Sequence, residues 1–230
     1  MSKKLAMGTA VAYILASLAV SIYLFVDKGV GSGLIGLCSL LYLLLFPLCR
    51  RLFRVGPGWL MDTVLMVFIF CAFTLGTALA WYSRFAYYDL IMHFLSGVLT
   101  ALLGLCLYYR LRRPEDRPAP PNRGMATALS FLFPQFVAVA WEMVEYIGFL
   151  LTGHDSQRVA ETGVADTMED MMICMAGALV MAILIWIHLG GRRRIPLVRP
   201  VDDWVKDSWG AAEHPASVSG PPADAAEDAR

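Results

Sequence analysis

Several patterns that mark soluble enzymes and nucleic-acid-binding proteins are missing from this sequence of 230 residues. It has no CxxC pair, no Ser-His or Cys-His motif of a covalent nucleophile, and no basic stripe with interleaved aromatic residues. The last absence argues against nucleic acid as a partner. The five cysteines lie within apolar runs and lack the spacing of a secreted disulfide framework, so we interpret them as small buried hydrophobic residues.

Charged residues are also scarce, at 17% of the chain, whereas hydrophobic residues reach 58% and the mean hydropathy is +0.59. This composition excludes an ordinary soluble domain. Lys3 and Lys4 precede an apolar run to Val26 that is too long for a signal-peptide core and lacks a cleavage site, so it is expected to be a retained first span. The sequence therefore predicts an all-α, multi-pass integral membrane protein of the cytoplasmic (inner) membrane. Its immediate partner is the lipid bilayer.

Hydropathy predicts a bundle of six transmembrane helices within residues 1–190. Most Lys and Arg residues lie at one set of span ends, whereas the other set carries only Lys28, Arg84 and Arg158. By the positive-inside rule, both termini are cytoplasmic and these three residues lie in loops that face outward. The predicted spans are 5–26, 31–49, 59–81, 87–109, 126–151 and 167–189.

Two segments outside the apolar spans indicate no specific function. Residues 191–230, which end in a region rich in Pro, Ala, Asp and Glu, are predicted to form a polar, disordered cytoplasmic tail. The aromatic cluster between spans three and four is interpreted as an interfacial belt rather than a binding cage. Its members are Trp81, Tyr82, Phe85, Tyr87 and Tyr88.

The fifth predicted span contains two carboxylates, Glu142 and Glu145, three residues apart in an otherwise apolar run. An ionised Glu near the middle of a membrane costs at least about 2–3 kcal/mol, and two on one helical face also repel each other. Gln135 and Ala138 continue the same helical stripe, and Pro134 could kink the helix nearby. Glu142 and Glu145 therefore need partners inside the protein.

The neighbouring spans supply candidate partners at a matching depth. Span four places Asp89 and His93 at positions i and i+4 on one face, and span six places Asp166 and Asp170 in the same relation. At about 1.5 Å per residue, these side chains and both glutamates lie in the outer half of the membrane. The outer loop 152–165 could cover them. Small residues on the same faces would let the helices approach closely; they are Gly97, Thr100, Gly104 and Gly177.

Five carboxylates and one imidazole cannot all remain charged in a low-dielectric pocket unless something compensates them. Either several are protonated or a cation lies among them, and an oxygen-rich set with one His suits Mg²⁺, Mn²⁺, Fe²⁺ or Zn²⁺. Glu142, Glu145 and His93 are the candidate catalytic residues, since a carboxylate or an imidazole can act as a general base. The candidate metal ligands are Asp89, His93, Glu142, Glu145, Asp166 and Asp170.

Some of these residues also have a simpler interpretation. Asp89 and Asp166 stand near predicted helix N-termini and could be caps. His93 alone is typical of a hydrogen-bonded packing residue. The simpler interpretation fails most clearly for Glu142 and Glu145, because each of them needs an internal partner.

Three segments and one loop carry a pattern of residues found in known membrane proteins, namely Tyr88-Asp89, His93-Phe94, Gly97, Trp141-Glu142, Glu145, Asp155-Ser156-Gln157, Gly163-Val164, Asp166-Thr167-Met168, Asp170 and Gly177-Ala178. This pattern resembles the YjdF-like family of predicted bacterial inner-membrane proteins and, more loosely, the VanZ-like family. The resemblance covers about residues 85–190. It implies a helical membrane fold with a polar site, but no particular reaction, because the family has no established activity.

These observations leave three functional hypotheses. The first is a metal-dependent, water-activating enzyme whose site opens outward to a membrane or envelope substrate, either a small molecule or a lipid. The second is a proton- or cation-coupled transporter. Against it stand the lack of an internal repeat and of carboxylates in the cytoplasmic halves of spans four to six, although a homodimer could supply the missing half. The third is a structural or accessory membrane protein whose polar cluster only locks helix packing.

Overall fold

The described residues of the computed structural model are 3–44, 47–48, 51–52, 58–113, 116, 119–191 and 193–205. They are almost entirely helical and contain no strand. A π-helix, Phe70–Ala78, directly follows the helix Trp59–Ile69, and one-turn helices at Trp81–Arg84 and Val159–Thr162 lie in the connections. The six longer helices are α1 (Lys3–Asp27), α2 (Val30–Leu41), α3 (Trp59–Ile69), α4 (Tyr88–Leu111), α5 (Arg123–Thr152) and α6 (Ala165–Leu189).

Five helical segments in the described part of the chain are long and apolar enough to cross a membrane. They correspond to the first, third, fourth, fifth and sixth predicted spans. The helix in the second span, α2, has 12 residues and is about 18 Å long, which is less than a hydrocarbon core of roughly 30 Å. Residues 45, 46 and 49 of that span lie outside the described residues. A sixth span, and with it the orientation of the termini, therefore stays a prediction.

The helices pack in two groups of three, and the candidate site belongs to the second group. The first group is α1, α2 and α3 with its π-helical continuation; the second is α4, α5 and α6. In the first group, Ser17 on α1 shares a hydrogen bond of 3.2 Å with Thr74 in the π-helix, and the Tyr13 hydroxyl donates to the Ser39 carbonyl of α2. Buried polar contacts of this kind hold helices together where lipid offers no alternative partner.

The second group is held by direct backbone contact between α4 and α6. A Cβ atom at Gly97 would lie 2.0 Å from the Cys174 carbonyl oxygen, and one at Gly177 would lie 2.2 Å from the Phe94 carbonyl oxygen. No side chain larger than a hydrogen atom fits at either position without moving a backbone. The small residues on these faces thus permit the close approach that the sequence predicted, one helical turn from His93.

Residues 193–205 differ from the disordered polar tail that the sequence predicted. Val198, Val201 and Val205 are buried against the ends of α4 and α6, and residues 199–205 are helical. The buried Asp202 carboxylate accepts a hydrogen bond from the Tyr109 hydroxyl of α4. The apolar face made by the three valines explains the packing, because its spacing of three and four residues is helical. Residues 206–230 of the predicted tail lie outside the described residues.

Candidate functional site

Three of the six predicted metal ligands converge between α4 and α6. The Nε2 atom of His93 lies 3.4 Å from Oδ1 of Asp89 and 3.6 Å from Oδ2 of Asp170. One ligand atom from each of the three residues lies within 4.8 Å of the others. The Asp170 side chain is 6% exposed, the His93 side chain 13% and the Asp89 side chain 30%, so the cluster opens to its surroundings on the side of Asp89.

The His93 imidazole lies between the two carboxylates, within ion-pair distance of each. Both carboxylates approach the same nitrogen of His93, and both distances exceed the 2.7–3.2 Å that is typical of an N–H···O bond. A single N–H group can point at only one of the two oxygens. One ligand atom from each residue is thus near enough to the other two for a single cation to contact all three.

Local sequence and helix packing together create this convergence. Asp89 and His93 are four residues apart on α4 and therefore lie on the same face. Asp170 lies on α6, which comes against that face because Gly97 lies on the backbone of Cys174 and Gly177 on that of Phe94. Because α4 and α6 run parallel, their first two turns lie at the same end of the group and carry the three side chains to one level.

The capping interpretation of Asp89 and Asp166 does not hold. The N-cap residues of α4 and α6 are Tyr87 and Val164, and neither cap has a side-chain hydrogen bond. Both aspartates lie within the first helical turn, where the helix dipole favours a negative charge but no capping bond is made. Their side chains are therefore available for contacts with other parts of the molecule.

Asp166 uses its side chain outside the three-residue cluster. Its Oδ1 atom lies 3.4 Å from the Arg158 guanidinium, which also contacts Glu161 at 3.0 Å. The hydrogen bond to Glu161 and the charge of Asp166 raise the pKa of Arg158 above its usual range. Asp166 thus ties the loop 153–164 to α6, and the structure does not bring it together with Asp89, His93 and Asp170 as a ligand.

Glu142 is buried, with 7% of the residue exposed, and its partner comes from the same loop. The Gln157 side-chain amide donates to Glu142 Oε2 at 2.9 Å and to the Glu142 backbone carbonyl at 3.1 Å. The carboxylate also interacts electrostatically with His93 and Asp170. Glu142 therefore lies beside the three-residue cluster without joining it, and the loop covers it as the sequence predicted.

Glu145 has a different partner on its own helix. The indole N–H of Trp141 donates to Glu145 Oε1 at 3.1 Å, and the Trp141 ring packs edge-to-face on Phe73 at 5.6 Å. Gln135, on the same predicted stripe, donates to the Phe131 carbonyl one turn earlier and takes no part in the site. The two carboxylates thus have separate hydrogen-bond donors, Gln157 of the loop for Glu142 and Trp141 of α5 for Glu145.

Tyr82, which the sequence analysis assigned to the aromatic belt, lies within electrostatic range of Asp89, Glu145 and Asp170. Burial, followed by the negative charges of Asp89, Glu145 and Asp170, raises its pKa above the usual range. Its ring packs on Gly76 of the π-helix, where a Cβ atom would lie only 2.4 Å from it. No local sequence signal distinguishes Tyr82 from its aromatic neighbours, because its position depends on the fold of the π-helix.

A cavity of about 410 Å³ adjoins the site between α5 and α6. Its wall is mainly apolar and includes Val139, Met143 and Met171, while Glu142 and Gln157 form its polar part. The cavity is open to the surroundings over much of its surface, unlike the enclosed pockets that bury most of a small ligand. Sequence alone gave no indication of this cavity, because α5, the loop and α6 all contribute to it.

The comparisons with known proteins agree with the helical membrane architecture. A family model described as a predicted membrane protein (DUF2238) matches residues 9–191, a range that includes every residue of the candidate site. No curated protein and no solved structure matches the chain. The chain therefore belongs to the DUF2238 family of predicted membrane proteins.

Proposed function

We propose that this protein is a metal-dependent membrane enzyme that binds a divalent cation through Asp89, His93 and Asp170 and acts on a membrane or envelope substrate. The observation that carries the proposal is the approach of two carboxylate oxygens to one imidazole nitrogen, at 3.4 and 3.6 Å, in a mostly buried setting. Two carboxylates facing one nitrogen, with Asp170 buried and Asp89 partly exposed, favour either a positive charge between them, from a protonated imidazole or a cation, or the protonation of a carboxyl group.

The donor set fits a divalent cation. In a tetrahedral site with bonds near 2.1 Å, ligand atoms stand about 3.4 Å apart, which is close to the observed separations. Three protein ligands leave at least one coordination position open, as catalytic metal sites do. Two Asp oxygens and one His nitrogen suit Mg²⁺, Mn²⁺, Fe²⁺ or Zn²⁺. When bound, such a cation would supply electrostatic activation of a water or a substrate oxygen.

Glu142 and Glu145 would accept and donate protons in this proposal. Glu142 is buried within electrostatic range of His93 and Asp170, and Gln157 holds its Oε2 atom, so its Oε1 atom would be the one to accept a proton from a water in the site. Glu145, whose Oε1 atom is held by Trp141, is the second candidate. In this proposal His93 serves as a ligand, which leaves the base role to a carboxylate.

The location of the site follows from the distribution of basic residues. With both termini cytoplasmic and six spans, the Asp89–His93–Asp170 cluster would face outward from the cytoplasmic membrane. An outward site near the membrane surface suits a substrate of the membrane or the cell envelope. The resemblance to YjdF-like proteins concerns these same segments and supports a helical fold with a polar site, without naming a reaction.

Metal analysis of the purified protein tests the proposal. The full chain is extracted in detergent without chelator, and bound metal is measured by inductively coupled plasma mass spectrometry. We expect close to one ion per chain, lost in His93→Gln and Asp170→Asn. His154→Gln and Asp166→Asn are the matched controls, because His154 is exposed and Asp166 pairs with Arg158. Metal at background level in the native chain would overturn the proposal.

A proton- or cation-coupled transporter is the second candidate, and one observation favours it. At the opposite end of α4 and α6, the buried Asp202 contacts Tyr109 and lies 3.5 Å from His188 Nε2, so polar clusters occupy both ends. However, the fully buried Leu105, Met181 and Ile185 separate the two clusters. Ion flux driven by a proton gradient in vesicles, together with absence of metal, would favour the transporter.

A further inference from the structure

We propose that the loop 153–164 is a lid that opens and closes over the candidate site, and that Gln157 holds it closed through Glu142. This inference rests on the proposed function, since it names the regulation of that site. It is supported by the glycines at the two ends of the loop, by the hydrogen bonds within the loop and by its contacts with α5 and α6.

A glycine in the left-handed backbone region stands at each end of the loop. Gly153 follows α5 directly with a φ of 74°, and Gly163 has a φ of 65° just before α6 begins. A Cβ atom at either position would meet nothing within 4 Å, so the backbone conformation favours glycine and the available space does not. Residues of this kind at the ends of a loop can absorb the backbone rotation of a hinge.

Between these glycines the loop is a compact unit with its own hydrogen bonds. The Asp155 carboxylate accepts the backbone N–H groups of Val159 and Ala160 at 3.0 and 2.9 Å. None of residues 153–164 is buried. A segment that keeps its hydrogen bonds to itself and buries little surface can move away from the helices without unfolding.

Two polar side-chain contacts among the described residues join the loop to the helices, one on each side of the site. Gln157 donates to the Oε2 atom and the backbone carbonyl of Glu142 on α5, at 2.9 and 3.1 Å. The Arg158 guanidinium lies 3.4 Å from Asp166 on α6 and within electrostatic range of Asp89. With both contacts made, the loop covers Glu142 and reaches the side on which the three-residue cluster is most exposed.

Closing the loop and orienting Glu142 are a single step in this arrangement. One amide group of Gln157 holds both the backbone and the carboxylate of Glu142, so both hydrogen bonds break when the loop moves away. Glu142 then loses the fixed direction that a general base needs. Gln157 is therefore a positioning residue, which acts on the chemistry through Glu142. Cation and substrate would exchange while the loop is open, and the reaction would take place while it is closed.

Metal exchange distinguishes a lid from a ligand, because a lid controls the rates of exchange and a ligand controls the affinity. The full chain in detergent is loaded with Zn²⁺. Release of the ion to excess EDTA and its uptake by the metal-free chain are then followed over time. Gln157→Ala removes two hydrogen bonds, one of them to a carboxylate, and should raise both rates about tenfold without a change in Kd.

Ser156 is the matched control for this substitution, because it is adjacent in the chain and exposed. Ser156→Ala should release and take up Zn²⁺ at the native rates. A weaker Kd with native rates in Gln157→Ala would mean that Gln157 supports the metal ligands directly, and it would overturn the lid.

A second pair of variants tests whether the loop moves as a whole. Arg158 contacts Asp166 on α6 at 3.4 Å and Glu161 within the loop at 3.0 Å. Asp166→Asn weakens the contact with α6 without touching Gln157 or Glu142, so both rates should rise about twofold to fivefold at native metal content. Glu161→Gln changes only a contact inside the loop and should keep the native rates. Native rates in Asp166→Asn as well would show that the effect of Gln157 is local, and would overturn the lid.

Labelling of carboxyl groups gives a measurement that needs no metal. The full chain is treated with a carbodiimide and glycine ethyl ester, and the extent of modification at each position is measured by mass spectrometry. Glu142, which is buried, should be labelled slowly in the native chain and faster in both Gln157→Ala and Asp166→Asn. Asp203, whose side chain is 46% exposed, is the internal reference and should be labelled equally in all samples.

The two measurements separate the lid from the metal site. A chain that holds metal, but in which Gln157→Ala and Asp166→Asn both exchange and label as the native chain does, would overturn the lid and leave the proposed metal site standing. A chain that holds no metal, but in which both variants increase the labelling of Glu142, would support the lid and overturn the metal-dependent function.

Discussion

The Nε2 atom of His93 on α4 lies 3.6 Å from Oδ2 of Asp170 on α6, and this contact joins two parallel helices at the level of the candidate site. Asp89 approaches the same nitrogen from the first turn of α4. The His93–Asp170 contact therefore affects the packing of α4 against α6 as well as the chemistry of the site. Any cation held between these atoms connects α4 to α6, and its removal leaves two carboxylates facing each other across the helix interface.

The proposed metal site predicts that metal removal destabilises the native chain. A ligand that binds only the folded state contributes about 2.7 kcal/mol at a concentration 100-fold above its Kd, and chelation removes this contribution. We expect EDTA to lower the thermal unfolding midpoint of the native protein in detergent and an excess of Mn²⁺ or Zn²⁺ to restore it. Asp170→Asn should show a low midpoint that neither treatment changes. An EDTA effect of equal size in Asp170→Asn would contradict this prediction.

The close contact of α4 and α6 at Gly97 predicts that a larger residue there lowers both stability and metal content. Gly97→Ala places a methyl group 2.0 Å from the Cys174 carbonyl oxygen, so the helices must separate. Overpacking of this kind typically costs about 1–3 kcal/mol, and it also displaces Asp170 from His93. We expect a lower unfolding midpoint together with reduced metal content.

Gly148 on α5 provides the control for this substitution. A Cβ atom there meets nothing within 4 Å, and the residue lies inside a regular helix. Gly148→Ala should therefore leave metal content unchanged and stabilise the helix by about 0.5–1 kcal/mol. If Gly97→Ala were tolerated as well as Gly148→Ala, the close helix crossing could not be what aligns the site.

Sequence reasoning was most successful where the signal is local. The i, i+4 spacing of Asp89 and His93 places both on one helical face, and hydropathy located the helices that carry them. Depth along the helix predicted that Asp170 would lie at their level, which the structure bears out. These conclusions depend only on helical geometry, and a sequence specifies helical geometry well.

Which acidic residues join the cluster and which contact other partners could not be predicted in the same way. Six residues formed one predicted ligand set, whereas the structure separates Asp166, Glu142 and Glu145 from the cluster by giving them other partners. Those partners are selected by loop conformation and side-chain packing over many residues. The packing of residues 193–205 was missed for a related reason, since three valines in a polar segment form an apolar face only after a helix forms.

Removing the donor of the Trp141–Glu145 hydrogen bond should lower the free energy of unfolding. Trp141→Phe keeps an aromatic ring against Phe73 but leaves Glu145 without its indole partner. An unsatisfied, half-buried acceptor costs about 1–3 kcal/mol. The unfolding free energies of Trp141→Phe, Glu145→Gln and the double variant give the coupling between the two side chains. A coupling of zero would mean that the hydrogen bond does not contribute to stability.

At the ends of α4 and α6 opposite the candidate site, Asp202 should anchor residues 193–205. Its carboxylate accepts from Tyr109, and the His188 Nδ1 atom accepts from the Ile195 backbone N–H, which leaves the Nε2–H group facing Asp202. Asp202→Ala removes the shared acceptor and leaves buried donors without it, at about 1–3 kcal/mol for each donor. We expect faster proteolytic cleavage within residues 193–205 and a lower unfolding midpoint.

Asp203 is the matched control for this anchor, because it is adjacent in sequence but forms an exposed ion pair with Arg199 at 3.2 Å. Surface pairs of this kind contribute about 0–1 kcal/mol, so Asp203→Ala should be cleaved at nearly the native rate. Equal cleavage of the two variants would show that the buried valines alone hold the segment. Since Val198 and Val205 are fully buried, Val198→Ala separates the two contributions: it should increase cleavage even while the Asp202 contacts remain.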